Sequence, residues 1–223
     1  MNKILLAATL FLCVSSTFAS ETAILKIKGT LTSSACTPEF SNGGVVDYGN
    51  IRLGELSSTN VNQLGQRNIE LTITCTEATK IAWNLIDDRA DSNAGLTVSA
   101  GTFTGGAQSA ANQTYGLGKA GTVNIGSYAM FMKVNSITAD GKIVDPIYQQ
   151  NGSTTWAKSA DGSSQGENSR NITVALSGSV DPLAFQTATF PLVTSLAIQN
   201  TTTLGITDDT RLDGQLTISL KYL

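Results

Sequence analysis

The 223-residue chain carries 14 Lys and Arg against 17 Asp and Glu, has no His, and bears a formal net charge of −3. That balance provides no basic patch for nucleic acid or an anionic membrane surface, and the lack of histidine excludes Ser-His-Asp and Cys-His catalytic centres. With 41% hydrophobic and only 14% charged residues, the chain can bury a core, which speaks against wholesale disorder; its length suits one domain.

The first residues read as a secretory signal peptide. Lys3 gives the positive start, residues 4–14 form an apolar run too short to span a bilayer, and Thr17-Phe18-Ala19 offers small residues where a signal peptidase reads. Cleavage is expected between Ala19 and Ser20, leaving 223 − 19 = 204 residues. Cys13 departs with the leader, so three cysteines become two, Cys36 and Cys75. An even pair in an oxidising compartment points to one disulfide, worth about 4 kcal/mol in the chain-entropy model.

Beyond the leader, period-two alternation dominates and no convincing ten-residue helix is visible. Ala23, Leu25, Ile27, Gly29 and Leu31 share one face of the first segment. Ile69, Leu71, Ile73 and Cys75 do so in NIELTITC. Ile81, Trp83 and Leu85 follow, then Val123 and Ile125. After a break at Gly126 come Tyr128, Met130, Met132 and Val134, and then Ile172, Val174 and Leu176. The last segment, GQLTISLKYL, alternates Leu216, Ile218, Leu220 and Tyr222. Turn-rich stretches separate these runs, which indicates an all-β sandwich or barrel. Residues 101–112 and 159–169 look too polar and too rich in Gly and Ser to pack, and are expected as surface loops.

Little in the chain suggests catalysis. Asp87 with Asp88, and Asp208, Asp209 and Asp213, are the tight acidic groups, and they read as turn residues. DDRADSNAG lacks the spaced acidic series and closing Glu of an EF-hand. Trp83, inside a strand, reads as core, whereas Trp156 lies in a polar stretch and stays open between core and a sugar-stacking role. No metal, cofactor or small-molecule substrate is expected, and the chain is not expected to be an enzyme.

The C-terminal segment poses a problem of its own. An edge strand is usually blunted by charge or proline because its free backbone groups recruit other chains. Here the nearby charge, Lys221, lies on the opposite face. Either another part of this chain or a different chain must cover the segment.

Taken together, the segment AILKIKGTLTSSAC, the leader, the second cysteine at Cys75 and the alternating C-terminus with Tyr222 resemble the subunits of chaperone–usher pili. More narrowly, DDRADSN, YGLG at residues 115–118 and the pair Gly126 and Tyr128 look like a poorly characterised fimbrial-like branch. The resemblance implies an immunoglobulin-like β-sandwich that lacks its last strand. A groove beside the strand of Leu216, Ile218, Leu220 and Tyr222 would be filled first by a periplasmic chaperone. At the outer-membrane usher, the N-terminal extension of a neighbouring subunit would then replace it. Residues 1–19 would be the leader, 20–30 the donor extension carrying Ala23, Leu25, Ile27, Gly29 and Leu31, and 31–223 the pilin-like domain.

The residues agree with that division at one point. The donor-like residues sit at odd positions and Cys36 at an even one, so a single flat strand would aim Cys36 to the opposite face. The segment is more easily read as an extension running into a separate first strand. Where the family places a glycine ahead of its last strand, this chain has Thr210, with Gly214 the nearest candidate. The expected function is that of a structural subunit of a surface fimbria, exported through the periplasm and supporting cell adhesion. The alternative is a binding module whose long loops recognise a host glycan or protein.

Overall fold

The computed structural model describes residues 25–29 and 35–223. The chain divides into two units, Met1–Ser33 and Ser34–Leu223. In the first, residues 25–29 have no regular secondary structure, and Leu25 and Ile27 are 87% and 90% exposed. The expected cleavage site at Ala19 and Ser20, and the donor positions Ala23 and Leu31, lie outside the described residues.

The second unit is built from strands. In chain order they are β1 (Cys36–Phe40), β2 (Asn62–Thr79), β3 (Ile81–Asp87), β4 (Tyr115–Gly116), β5 (Lys119–Ala120), β6 (Val123–Asn124) and β7 (Gly126–Met132). After these come β8 (Thr138–Ala139), β9 (Lys142–Ile143), β10 (Asp145–Gln150), β11 (Ala157–Lys158), β12 (Arg170–Ala175), β13 (Phe185–Ile198) and β14 (Leu216–Tyr222). One sheet runs β1-β2-β13-β7-β4, with the β8–β9 hairpin against β13; the other runs β11-β10-β12-β3-β14. Their pairings are antiparallel.

The two sheets share one core, which makes the fold an all-β sandwich. Ile69, Leu71, Ile73 and Cys75 of β2 are buried at alternate positions, as the pleat requires. Trp83 of β3 is fully buried and meets Phe190 of β13 edge-on, with ring centroids 5.8 Å apart. Such a contact adds about 1 kcal/mol to the burial of both rings. Trp83 is therefore core, as its strand position suggests, while Trp156 is half-buried.

The break expected at Gly126 falls one residue earlier, at Ile125 between β6 and β7; Gly126 itself opens β7, where a side chain would strike the carbonyl of Ala197. Two further expectations need correction. β7 ends at Met132, and Val134 belongs to a short 3-10 turn, while Leu176 lies exposed beyond the end of β12.

The largest omission is β13, the strand between β2 and β7, which sequence alternation did not reveal. FQTATFPLVTSLAI carries seven consecutive buried residues from Leu192 to Ile198, because the sheet core lies on one side and residues of the loop at Leu96 and Val98 on the other. A strand covered on both faces reads as a continuous apolar run. Pro191 is tolerated because it falls between two partners: Ala188 and Thr189 pair with β8, and pairing with β7 begins at Leu192.

The stretch 159–169 also packs, contrary to expectation. Ser159, Ser163 and Ser164 are buried. The Met132 amide donates to the Gly162 carbonyl, Ser164 Oγ donates to the Met130 carbonyl, and the Arg170 guanidinium donates to Ser163. Small polar side chains do not exclude burial where the strand edge they cover supplies their hydrogen-bond partners. The stretch 101–112 is mixed, with Thr102 and Gln108 buried and Phe103 to Ala107 outside.

Candidate functional site

Each sheet ends in a strand with one partner among the described residues: β1 pairs with β2, and β14 pairs with β3. β1 and β14 lie on the same side of the sandwich and are not paired with each other, which leaves two backbone edges facing a cleft. β1 is fixed by its register of Cys36 with Cys75 through Phe40 with Leu71, and by the Cys36–Cys75 disulfide. β14 is held by seven register pairs, from Leu216 with Asp87 to Tyr222 with Ile81.

Three of the four residues expected along this edge fall as the alternation predicts: Leu216, Ile218 and Leu220 are half-buried against the core, and Thr217, Ser219 and Lys221 between them are exposed. Tyr222, expected on the same face, departs from the pattern and is exposed at 53%. At the Tyr222 end, the Cys36 amide donates to Tyr222 Oη at 3.0 Å. Toward Phe40 and Leu216, a cleft of about 1150 Å³ opens. Its floor is core: Ile69, Tyr128, Met130 and Leu196 line it and are buried. Sandwich cores are normally roofed on such a side, so this one is left unfinished by the described residues.

Two segments that sequence reading passed over as loops form the walls. Between β1 and β2, Val46, Tyr48 and Leu56 turn half-buried side chains inward. Tyr48 is anchored by its hydroxyl against Thr194, donating to the carbonyl at 3.1 Å, and Arg67 lies over its ring at 5.1 Å. Burial raises the Tyr48 pKa, so the phenol stays neutral and available as a donor. Opposite, Ile206 and Leu212 come from the connection between β13 and β14. Apolar residues scattered through a turn-rich stretch were the available signal, but without periodicity it pointed to no element.

The mouth of the cleft is organised by motifs that are far apart in sequence. Asp87 accepts from the amides of Arg89 and Gly116, and Asp88 accepts from Gln215 and Thr217. The Arg89 guanidinium grips Asp213 through Nε at 2.9 Å and Nη2 at 3.3 Å. Ser92 Oγ accepts from the Gly118 amide, and a side chain at Gly116 would collide with the Arg89 carbonyl and Ser92 Oγ. Gly214 lies so close to Tyr128 that a Cβ there would sit 2.9 Å from its ring. DDRADSN, YGLG and the glycine before the last strand are thus one cluster that fixes where β14 begins.

These contacts favour the turn reading of the acidic residues. Burial raises the Asp87 pKa, against the two amide donors that lower it. Lys119 lowers that of Asp91 through an ion pair at 2.8 Å. Among the described residues, no group of three or more His, Cys, Asp and Glu could hold a metal ion.

The family model for a "Protein of unknown function (DUF1120)" matches residues 25–129. Across nearly the whole length, the chain is 35% identical to "Uncharacterized protein YhcF" of Escherichia coli (strain K12), an alignment covering 99% of this chain and 98% of the relative. The chain belongs to the DUF1120 family. It is also 32% identical to "Protein GltF" of the same organism, over 89% of this chain and 87% of that one. The matched DUF1120 region contains the disulfide, the Asp87–Asp91 turn and one cleft wall. In this DUF1120 chain the other wall, with β14, lies beyond the region and is reached by the alignment with YhcF, which covers 99% of the chain.

Proposed function

We propose that the chain is a structural subunit of a surface fimbria, assembled by the chaperone–usher route through donor-strand exchange. The observation that carries this reading is the cleft between the edges of β1 and β14, which pair with no further strand among the described residues, floored by core residues. A strand laid into it would hydrogen-bond to one or both edges, and its alternate side chains would cover Ile69, Met130 and Leu196. The extension offers a strand of that kind: Leu25 and Ile27 alternate with lysines and are exposed. On this reading a periplasmic chaperone fills the cleft first, and a neighbouring subunit's residues 20–30 replace it at the outer-membrane usher. The work of the protein is then polymerisation in support of adhesion, without cofactor, nucleic acid or small-molecule substrate.

A peptide of residues 20–33 tests this. Ligand that binds the folded state alone stabilises it by about 2.7 kcal/mol at a hundred times its dissociation constant. The peptide should therefore raise the unfolding midpoint of a chain lacking residues 20–28, and a peptide with Leu25 and Ile27 replaced by Asp should not. A truncated chain that stays monomeric, melts at the full-length midpoint and ignores the peptide would favour the binding-module alternative.

A further inference from the structure

The end of the cleft at Cys36 holds a contact whose consequence goes beyond strand acceptance, although it rests on that reading. The Ala35 carbonyl accepts from the Thr76 amide of β2 at 2.9 Å. Carbonyl and amide of one peptide unit point in opposite directions, so the Cys36 N–H is aimed away from β2, toward the free edge of β1. That N–H is one of the donors an added strand would need. It is already taken, by Tyr222 Oη at 3.0 Å.

The two ends of this bond differ in freedom. Cys36 is held by its register with Cys75 and by the disulfide. The β14 backbone is held on both sides of the ring, by pairing of Tyr222 with Ile81 and by the Leu223 amide donating to the Lys80 carbonyl at 3.1 Å. Tyr222 is 53% exposed as a residue, which leaves its ring room to swing into water by side-chain rotation alone. The bond is solvent-exposed, so water can replace the phenol oxygen as it leaves, and giving way to an incoming carbonyl costs at most about one net hydrogen bond.

We propose that Tyr222 is a placeholder gate. Its hydroxyl satisfies the Cys36 amide while the cleft is empty, ties the two sheet edges together at that end, and gives way when an incoming strand takes the same donor. The ligand class is an extended peptide that presents a backbone carbonyl to Cys36. The competition is between that carbonyl and one phenol oxygen.

The test compares the full chain with its Tyr222→Phe variant, which keeps the ring and removes the acceptor. Fluorescently labelled peptide of residues 20–33, in excess, should associate about fivefold faster with the variant, the factor that one net hydrogen bond provides. In the free wild-type protein, hydrogen exchange at the Cys36 amide should be slowed; in the free variant it should be faster, and peptide should slow it in both. Peptide binding at equal rates would overturn the gate and leave the strand-acceptor reading standing. So would a Cys36 amide that exchanges freely in the unliganded wild-type protein, a measurement that needs no mutation. No peptide binding by either protein would overturn the acceptor reading and the gate with it.

Discussion

Arg89 and Asp213, 124 positions apart, meet through two N–H···O bonds that bring the turn after β3 against the residue before Gly214. The pair is solvent-exposed, so its effect is positional: it fixes the start of β14 and with it one side of the cleft mouth. Arg89→Ala should leave the melting temperature within about 2 °C of the parent. It should, however, speed hydrogen exchange and proteolysis across residues 206–215. Unchanged exchange there would mean that Asp88, Gln215 and Thr217 hold the segment without Arg89.

Gly116 should be far less forgiving. Its α-carbon hydrogen faces the Arg89 carbonyl and Ser92 Oγ, both fixed by the turn, so Gly116→Ala forces backbone to move. A destabilisation of about 1–3 kcal/mol is expected. Gly121→Ala is a control of another kind: its added Cβ meets nothing within 4 Å, but its φ of +59° makes the cost one of backbone strain alone. Urea midpoints of the two variants separate crowding from strain.

Asp87 gives a pH dependence of unusual sign. Burial raises its folded pKa above the ordinary carboxylate value of 3.8, so the folded state binds this proton more tightly than the unfolded one. Its favourable contribution is complete below the unfolded value and is lost as pH rises through the raised folded value. Asp87→Asn loses one of the two amide contacts at every pH, which is a constant offset. The stability gap between variant and parent should therefore widen in favour of the parent as pH falls through that window. Asp145 has the opposite sign: the Lys158 bond and the Gly178 amide lower its pKa, so its contribution is present above the ordinary value and lost on acidification. Urea titrations between about pH 3 and 7 measure both, and a gap for Asp87→Asn that narrows on acidification would contradict the assignment.

The disulfide should matter in two ways. Replacing Cys36 and Cys75 with Ser should cost about 4 kcal/mol, since the bridge closes a long loop in the unfolded chain. It should also free the β1 end of the Tyr222 contact, so the Cys36→Ser, Cys75→Ser protein should lose exchange protection at residue 36 even under conditions where it remains folded. Full protection there would show that register with β2 alone suffices.

What could be read from sequence follows from where each signal resides. β14 and the second half of β2 were legible because one face is apolar and the other polar, so local alternation encodes their burial. β13 was not, because both its faces are covered and nothing alternates from Leu192 to Ile198. The serines of residues 159–169 misled for the converse reason: their polarity is satisfied by β7 backbone that lies about thirty residues earlier. The β14 edge of the candidate site was visible, and DDRADSN and YGLG stood out as motifs. Their convergence with Asp213 and Gly214 could not be seen, because it depends on how β3, β4 and β14 come together. The walls at Tyr48 and Leu212 have no periodicity to betray them.

The pairing of β2 with β13 also sets how this chain must fold. Thr79 lies opposite Phe185, and Asn62 opposite Ile198, so forming the central ladder closes a loop of at least 185 − 79 = 106 residues. Strands β3, β7, β10 and β12 all lie inside that loop. Loop-closure entropy must be overcome before the first ladder bonds repay it, which places such topologies in the slow, roughly millisecond-to-second class of folding. During that interval β2, whose inward face carries Ile69, Leu71 and Ile73, has one short neighbour within reach, β1, already tethered once Cys36 and Cys75 are oxidised. Oxidation before the central ladder forms would shield one side of β2 and leave the other as an aggregation-prone edge. The order of disulfide formation and β13 docking is thus expected to set the yield of folded protein, which refolding from the reduced and from the oxidised chain would measure.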